Sequence, residues 1–152
     1  MSIVHPVLMA VFFFLIFRQV RLGQSIKELK VHSPDFAESR KKAIAAHRGM
    51  IYPILFLGFG GMLGGAIVAT QFMGVTVPFQ QTYGHPFFGL LGLAAIIAII
   101  ILGFNIKNVR KPKIQERFLN FHTNIAFVLG FFCLLSLATG IIILVSGPSA
   151  IN

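Results

Sequence analysis

The chain has 152 residues, 56% hydrophobic and 11% charged, with 13 basic and 4 acidic residues giving a net charge of +9. Soluble globular chains carry about 25% charged residues, and here residues 1–17, 49–106 and 118–152 hold no Asp, Glu, Lys or Arg at all. Uncharged apolar stretches of about 18 residues or more read as membrane spans. The composition therefore excludes soluble enzyme classes and points to an integral membrane protein, with a single domain over residues 1–152.

From the N-terminus, MSIVHPVLMAVFFFLIF lacks the basic n-region and small-residue cleavage site of a secretory signal, so a retained first span is expected. That span runs from about Ile3 to Val20. The uncharged block 49–106 is too long for one crossing and divides into two, joined by residues 73–84, where Gly74, Pro78 and Gly84 supply breaks. The second helix is expected over Ala43–Phe72, the third over His85–Ile106 and the fourth over Phe118–Val145. The expected fold class is an all-α membrane protein, a four-transmembrane-helix up-down bundle. Long runs without period-two alternation disfavour a β-barrel.

Ahead of helix two, Ser33-Pro34-Asp35 has the form of a helix start, with Ser as cap and Pro at the first helical position. Helix two then begins before the membrane, and Pro53 is expected to kink it. Gly58, Gly61 and Gly65 follow small-residue spacing, which suits close helix packing first and a flat ligand second. No short repeat and no low-complexity tract stands out. Cys133, alone in an apolar run, reads as a packing residue and supports no disulfide.

Every basic residue falls in one of two loops. Arg18, Arg21, Lys27, Lys30, Arg40, Lys41, Lys42 and Arg48 lie between helices one and two; Lys107, Arg110, Lys111, Lys113 and Arg117 lie between helices three and four. Four spans put both loops on one side of the membrane. The positive-inside rule makes that side cytoplasmic, or stromal in a plastid, with both termini and the 73–84 connector opposite. A plasma or thylakoid membrane is expected. The same placement makes the charge a topology signal and argues against nucleic acid.

Four of the five histidines open a span. His5 and His85 begin helices one and three; His47 and His122 begin helices two and four on the basic side. Ionisable residues in spans are costly and commonly functional. One alone reads as an interfacial anchor or packing hydrogen bonder, but four, one per helix and paired by depth, fit that account poorly. In an up-down bundle, helices one and three, or two and four, face across a diagonal. With neighbouring axes about 8–10 Å apart, that diagonal is roughly 12–14 Å, which suits a planar macrocycle held between two imidazoles. His5 with His85 and His47 with His122 would then ligate two haems, with both axial positions of each iron filled. By the helical rise, the two irons would lie on the order of 20 Å apart along the membrane normal.

Three alternatives stay open. Zinc wants three or four clustered ligands, chlorophyll needs one axial histidine per site within a pigment scaffold, and the histidines could pack without any cofactor. His32, in VHSPDF, reads as a solvated loop residue; Tyr52 and Tyr83 read as interface anchors before haem neighbours.

The motifs also carry a resemblance. His5-Pro6-Val7-Leu8-Met9 resembles the His-Pro-x-x-Met start of the first core helix of the cytochrome b561 family. AAHRGMIYP around His47, TYGHPFFGLLG around His85 and FLNFHTNIAFVLG around His122 are similar to that family's later ligand segments. The resemblance covers nearly the whole chain. It lacks the flanking span on each side common in eukaryotic members, and is nearer the small b561-like membrane proteins of cyanobacteria and plastids. It implies two b-type haems with ligand pairs from alternate helices. It also implies an electron-transferring oxidoreductase, fed by a quinol, an ascorbate-like reductant or a redox protein. Basic residues just ahead of the ligands help bind ascorbate in that family, which puts Lys42, Arg117, Arg40, Lys41 and Lys113 forward as a reductant-docking patch. The competing expectation is a small structural subunit of a larger respiratory or photosynthetic complex, with or without haem or pigment.

Overall fold

A computed structural model of the protein describes residues 4–29, 35–72, 82–106 and 108–146. The fold is all-α, with the four helices expected, each long and apolar enough to cross a membrane, and no strand occurs among the described residues. Only 11–17% of each span's most apolar stretch is buried by the protein itself. Phe14, Phe56, Phe127 and Leu134 are all more than 60% exposed, and such side chains need a hydrocarbon surround. The chain is an integral membrane protein.

The first helix, α1, covers Val4–Glu28 and continues well past the expected end at Val20. Arg18 and Arg21 do not stop it, because Arg, Gln and Leu are good helix formers and long basic side chains reach back to water from a helix end. The second span is built from α2 (Phe36–Gly49) and α3 (Ile51–Ile67), followed by a π-helical turn over Val68–Phe72. The interruption at Met50 has a local cause. Pro53 has no N–H to give to the carbonyl of Gly49, and its ring crowds that carbonyl; the ladder resumes with Ile54 N–H donating to Met50 O at 3.2 Å. At the proline the helix is interrupted for one residue, with Met50 itself keeping helical backbone angles (φ −76°, ψ −11°). The cap of α2 is Asp35, whose carbonyl accepts from Ser39 N–H at 2.9 Å. This corrects the placement of the helix start, since the first helical residue is Phe36. Ser33 and Pro34 lie outside the described residues, as do His32 and residues 73–81 of the connector.

The third span, α4, covers His85–Ile106, the range expected. A turn with Tyr83 at φ 53° and Gly84 at φ 75° precedes it, and His85 N–H donates to Thr82 O at 2.9 Å. The fourth, α5, covers Pro112–Ser146 and starts six residues before the expected Phe118. Pro112 occupies the first helical position, where a missing N–H costs nothing, and Lys113 and Arg117 therefore ride on the helix rather than in a loop.

The chain forms two compact units, Ile3–Gly61 and Met62–Asn152. In the first unit α1 runs antiparallel to the helices that follow: His47 lies against Gly23, and the Met9 thioether lies against Gly61. Gln19 Nε2 also donates to the main-chain carbonyl of His47 at 2.9 Å. In the second unit α4 and α5 pack antiparallel along their lengths. Gly92 faces Leu129 and Phe132 near the middle, Gly89 faces Ser136, and Gly103 faces His122. Leu93, Ala95, Ile96 and Leu129 are its buried apolar residues.

Candidate cofactor-binding site

His5, His47, His85 and His122 are all half-buried, each within the first turns of its apolar stretch or at its start. His85 is the most firmly held. It is the first residue of α4, and its Nδ1 lies 2.8 Å from the main-chain carbonyl oxygen of Ser136 on α5. A carbonyl can only accept, so Nδ1 carries the proton and donates. In the neutral ring the lone pair is then left on Nε2. Two hydroxyls stand around the same nitrogen, Thr139 Oγ1 at 3.4 Å and Ser136 Oγ at 3.5 Å. The Thr139 hydroxyl donates to Leu135 O at 2.8 Å, with Ser136 O at 3.1 Å. The carbonyl is thus the near, well-aligned acceptor for His85.

His47 and His122 sit differently. His47, close to the end of α2, has its ring edge over Gly23 of α1; His122, in the third turn of α5, has its ring edge over Gly103 of α4. The Nδ1 atoms of His5, His47 and His122 are closed off from solvent. Among the described residues, no three His, Cys, Asp or Glu side chains gather in one place. A site closed by two imidazoles requires no such cluster. If a b-type haem binds, the imidazoles of His5, His47, His85 and His122 are the groups that would hold it, and the Nδ1–H of His85 would leave Nε2 as its ligating nitrogen.

The basic residues divide by helix face. Phe36, Arg40, Lys41, Ile44 and Arg48 line one side of α2 around a shallow open groove of about 600 Å³, with the Arg40 guanidinium 5.9 Å from the centre of the Phe36 ring. Lys42 falls about 200° around the helix from Arg40. It pairs with Glu38 at 2.8 Å while both side chains stay more than 70% exposed. On α5, Lys113 and Arg117 are one turn apart and exposed. Tyr52 is 76% exposed, which suits an interface anchor.

No family model matches the chain, and neither a curated protein nor a solved structure is significantly similar to it. What the chain does must follow from its own residues. Ser136 and Thr139 were not among the residues singled out from the sequence. Their signal was there: two hydroxyls one helical turn apart in an otherwise apolar run, where each needs a hydrogen-bond partner.

Proposed function

We propose that this chain is a di-haem b-type cytochrome, b561-like, that moves single electrons across or within the membrane. The observation that carries the reading is the state of His85. A buried-side hydrogen bond to Ser136 O fixes the Nδ1–H tautomer and leaves Nε2 as the nitrogen with a lone pair. His5 and His85 would hold one haem, and His47 and His122 the other. When bound, haem supplies an iron that changes by one electron between ferric and ferrous while both axial positions stay filled. The chain's part is to hold the imidazoles, exclude water with its apolar side chains and keep exogenous ligands from the metal.

The basic side is cytoplasmic or stromal on this reading, and both termini face the other way. Arg40, Lys41, Lys42, Lys113 and Arg117 would draw an anionic, ascorbate-like reductant toward the His47/His122 haem; a quinol would arrive through the bilayer instead, and a redox protein would dock at the same basic face. A second reading is a small subunit of a larger membrane complex. It is favoured by the extent of apolar surface left uncovered on every span. The deciding experiment is a reduced-minus-oxidised spectrum of the purified protein, produced with ample haem. A sharp low-spin α band supports the cytochrome. A flat spectrum overturns it and leaves the subunit.

A further inference from the structure

Each span carries a glycine 18 residues after its histidine: His5 and Gly23, His47 and Gly65, His85 and Gly103, His122 and Gly140. Eighteen residues are five α-helical turns, so the histidine and its glycine share a face about 27 Å apart. In an antiparallel pair with matched ends, the histidine opening one helix then meets the glycine closing its neighbour. Three such meetings are present. A β-carbon placed on Gly23 would lie 3.5 Å from Cε1 of His47, one on Gly103 would lie 3.6 Å from Cε1 of His122, and one on Gly140 would lie 3.0 Å from Cε1 and 3.3 Å from Nδ1 of His85.

We infer that Gly140 is a positioning residue that, together with the Ser136 carbonyl, sets the pose of the His85 imidazole, whereas Gly23 and Gly103 leave room to spare beside their histidines. The inference rests on the cytochrome reading for its electronic consequence, though not for its geometry. The three seats differ in slack. A methyl at 23 or 103 makes ordinary van der Waals contact with a ring edge. At 140 it crowds the ring, which must give by a few tenths of an ångström, and any such shift acts on the 2.8 Å bond to Ser136 O.

The Nδ1–H···O=C bond pushes electron density toward Nε2 and makes the imidazole a more basic ligand, which favours the ferric state of the iron it binds. Weakening that bond therefore raises the reduction potential of the His5/His85 haem alone. The test is a redox titration followed by optical and electron-spin spectra on wild type, Gly140→Ala, Gly103→Ala and Gly23→Ala. With full haem content, Gly140→Ala should shift one midpoint to more positive values and change the spectrum of that haem, while the two other variants keep both midpoints. Equal shifts in all three variants, or none in Gly140→Ala, would overturn the assignment. A second measurement needs neither haem nor a stable variant: nitrogen chemical shifts of the His85 ring in the full chain produced without haem. An Nδ1–H tautomer supports the seat and an Nε2–H tautomer overturns it. Wild-type protein that never binds haem would sink the cytochrome reading, and this second measurement would still decide the seat.

Discussion

His85 and Ser136 are joined by a hydrogen bond of 2.8 Å from the ring nitrogen Nδ1 to a main-chain carbonyl, across the α4–α5 interface. Because the acceptor is backbone, replacing the Ser136 side chain leaves it in place. Ser136→Ala is expected to preserve the His85 tautomer, and Thr139→Val likewise, since its hydroxyl stands farther from the ring at 3.4 Å. Ring nitrogen shifts measured in each variant check this; loss of the Nδ1–H form in either would move the anchoring role to the hydroxyls.

Pairing of the histidines is tested by single substitutions. His47→Ala and His122→Ala should each abolish the same haem and spare the other, while His5→Ala and His85→Ala should abolish the second. Haem quantified per protein will fall from two to one in every case. Loss in the combinations 5 with 47 and 85 with 122 would instead place both haems between sequential helices.

The proposed orientation rests on the position of the basic residues. Gln80→Cys is expected to react with an impermeant thiol reagent on intact cells or right-side-out vesicles, and Ser33→Cys to stay unreacted until the membrane is opened. The native Cys133 lies within the fourth span and gives the background. Reversed labelling would put both termini on the cytoplasmic side.

If the proposed haem is reduced by ascorbate, the two faces of α2 should contribute differently. Lys42 has its charge offset by Glu38, whereas Arg40, Lys41 and Arg48 share a groove with no acidic side chain in its lining. Arg40→Ala with Lys41→Ala should therefore slow reduction more than Lys42→Ala does, and added salt should shrink the difference because screening weakens charge attraction. Arg117→Ala and Lys113→Ala test the contribution of the basic residues on α5. Rates that ignore all of these substitutions, at unchanged haem content, point to a neutral quinol.

Packing predictions concern glycines away from the histidines. A β-carbon at Gly92 would meet Leu129 and Phe132 at 3.8–3.9 Å, an ordinary contact, so Gly92→Ala should be close to neutral in a detergent unfolding assay. At Gly61 it would stand 2.5 Å from the Met9 sulfur. Met9 must swing aside, and a cost of about 1–3 kcal/mol is expected for Gly61→Ala, the usual range for overpacking. Met9→Ala in the same chain should recover part of it.

Most of the fold was legible because hydropathy and charge dictate where a chain crosses a membrane. Helix three was read to the residue, since the Tyr83-Gly84 turn and the stretch after Ile106 end it chemically as well as by polarity. Helices one and four were read short for one reason. Charge marks where a helix leaves the hydrocarbon, not where its hydrogen bonds stop, and Arg18, Arg21, Lys113 and Arg117 continue a helix readily. Pro112 was the overlooked start signal. The four histidines were legible as candidates, but their seats were not: a His-to-Gly spacing of 18 acquires meaning only once it is known which helices lie side by side. The unequal loops, which put His47 42 residues after His5 but His122 37 after His85, hide the recurrence from a search at fixed period.

In α1, α4 and α5 five unbroken turns of helix separate the histidine from its glycine, so the depth of these histidines is metered by backbone hydrogen bonds and not by the length of any connection. Insertions between the spans are free to accumulate without altering the depth of the histidines. A single residue gained or lost inside a span is a different matter: it rotates the histidine about 100° away from its glycine. In this architecture loop length can drift, while helix phase is held by the chemistry at both ends.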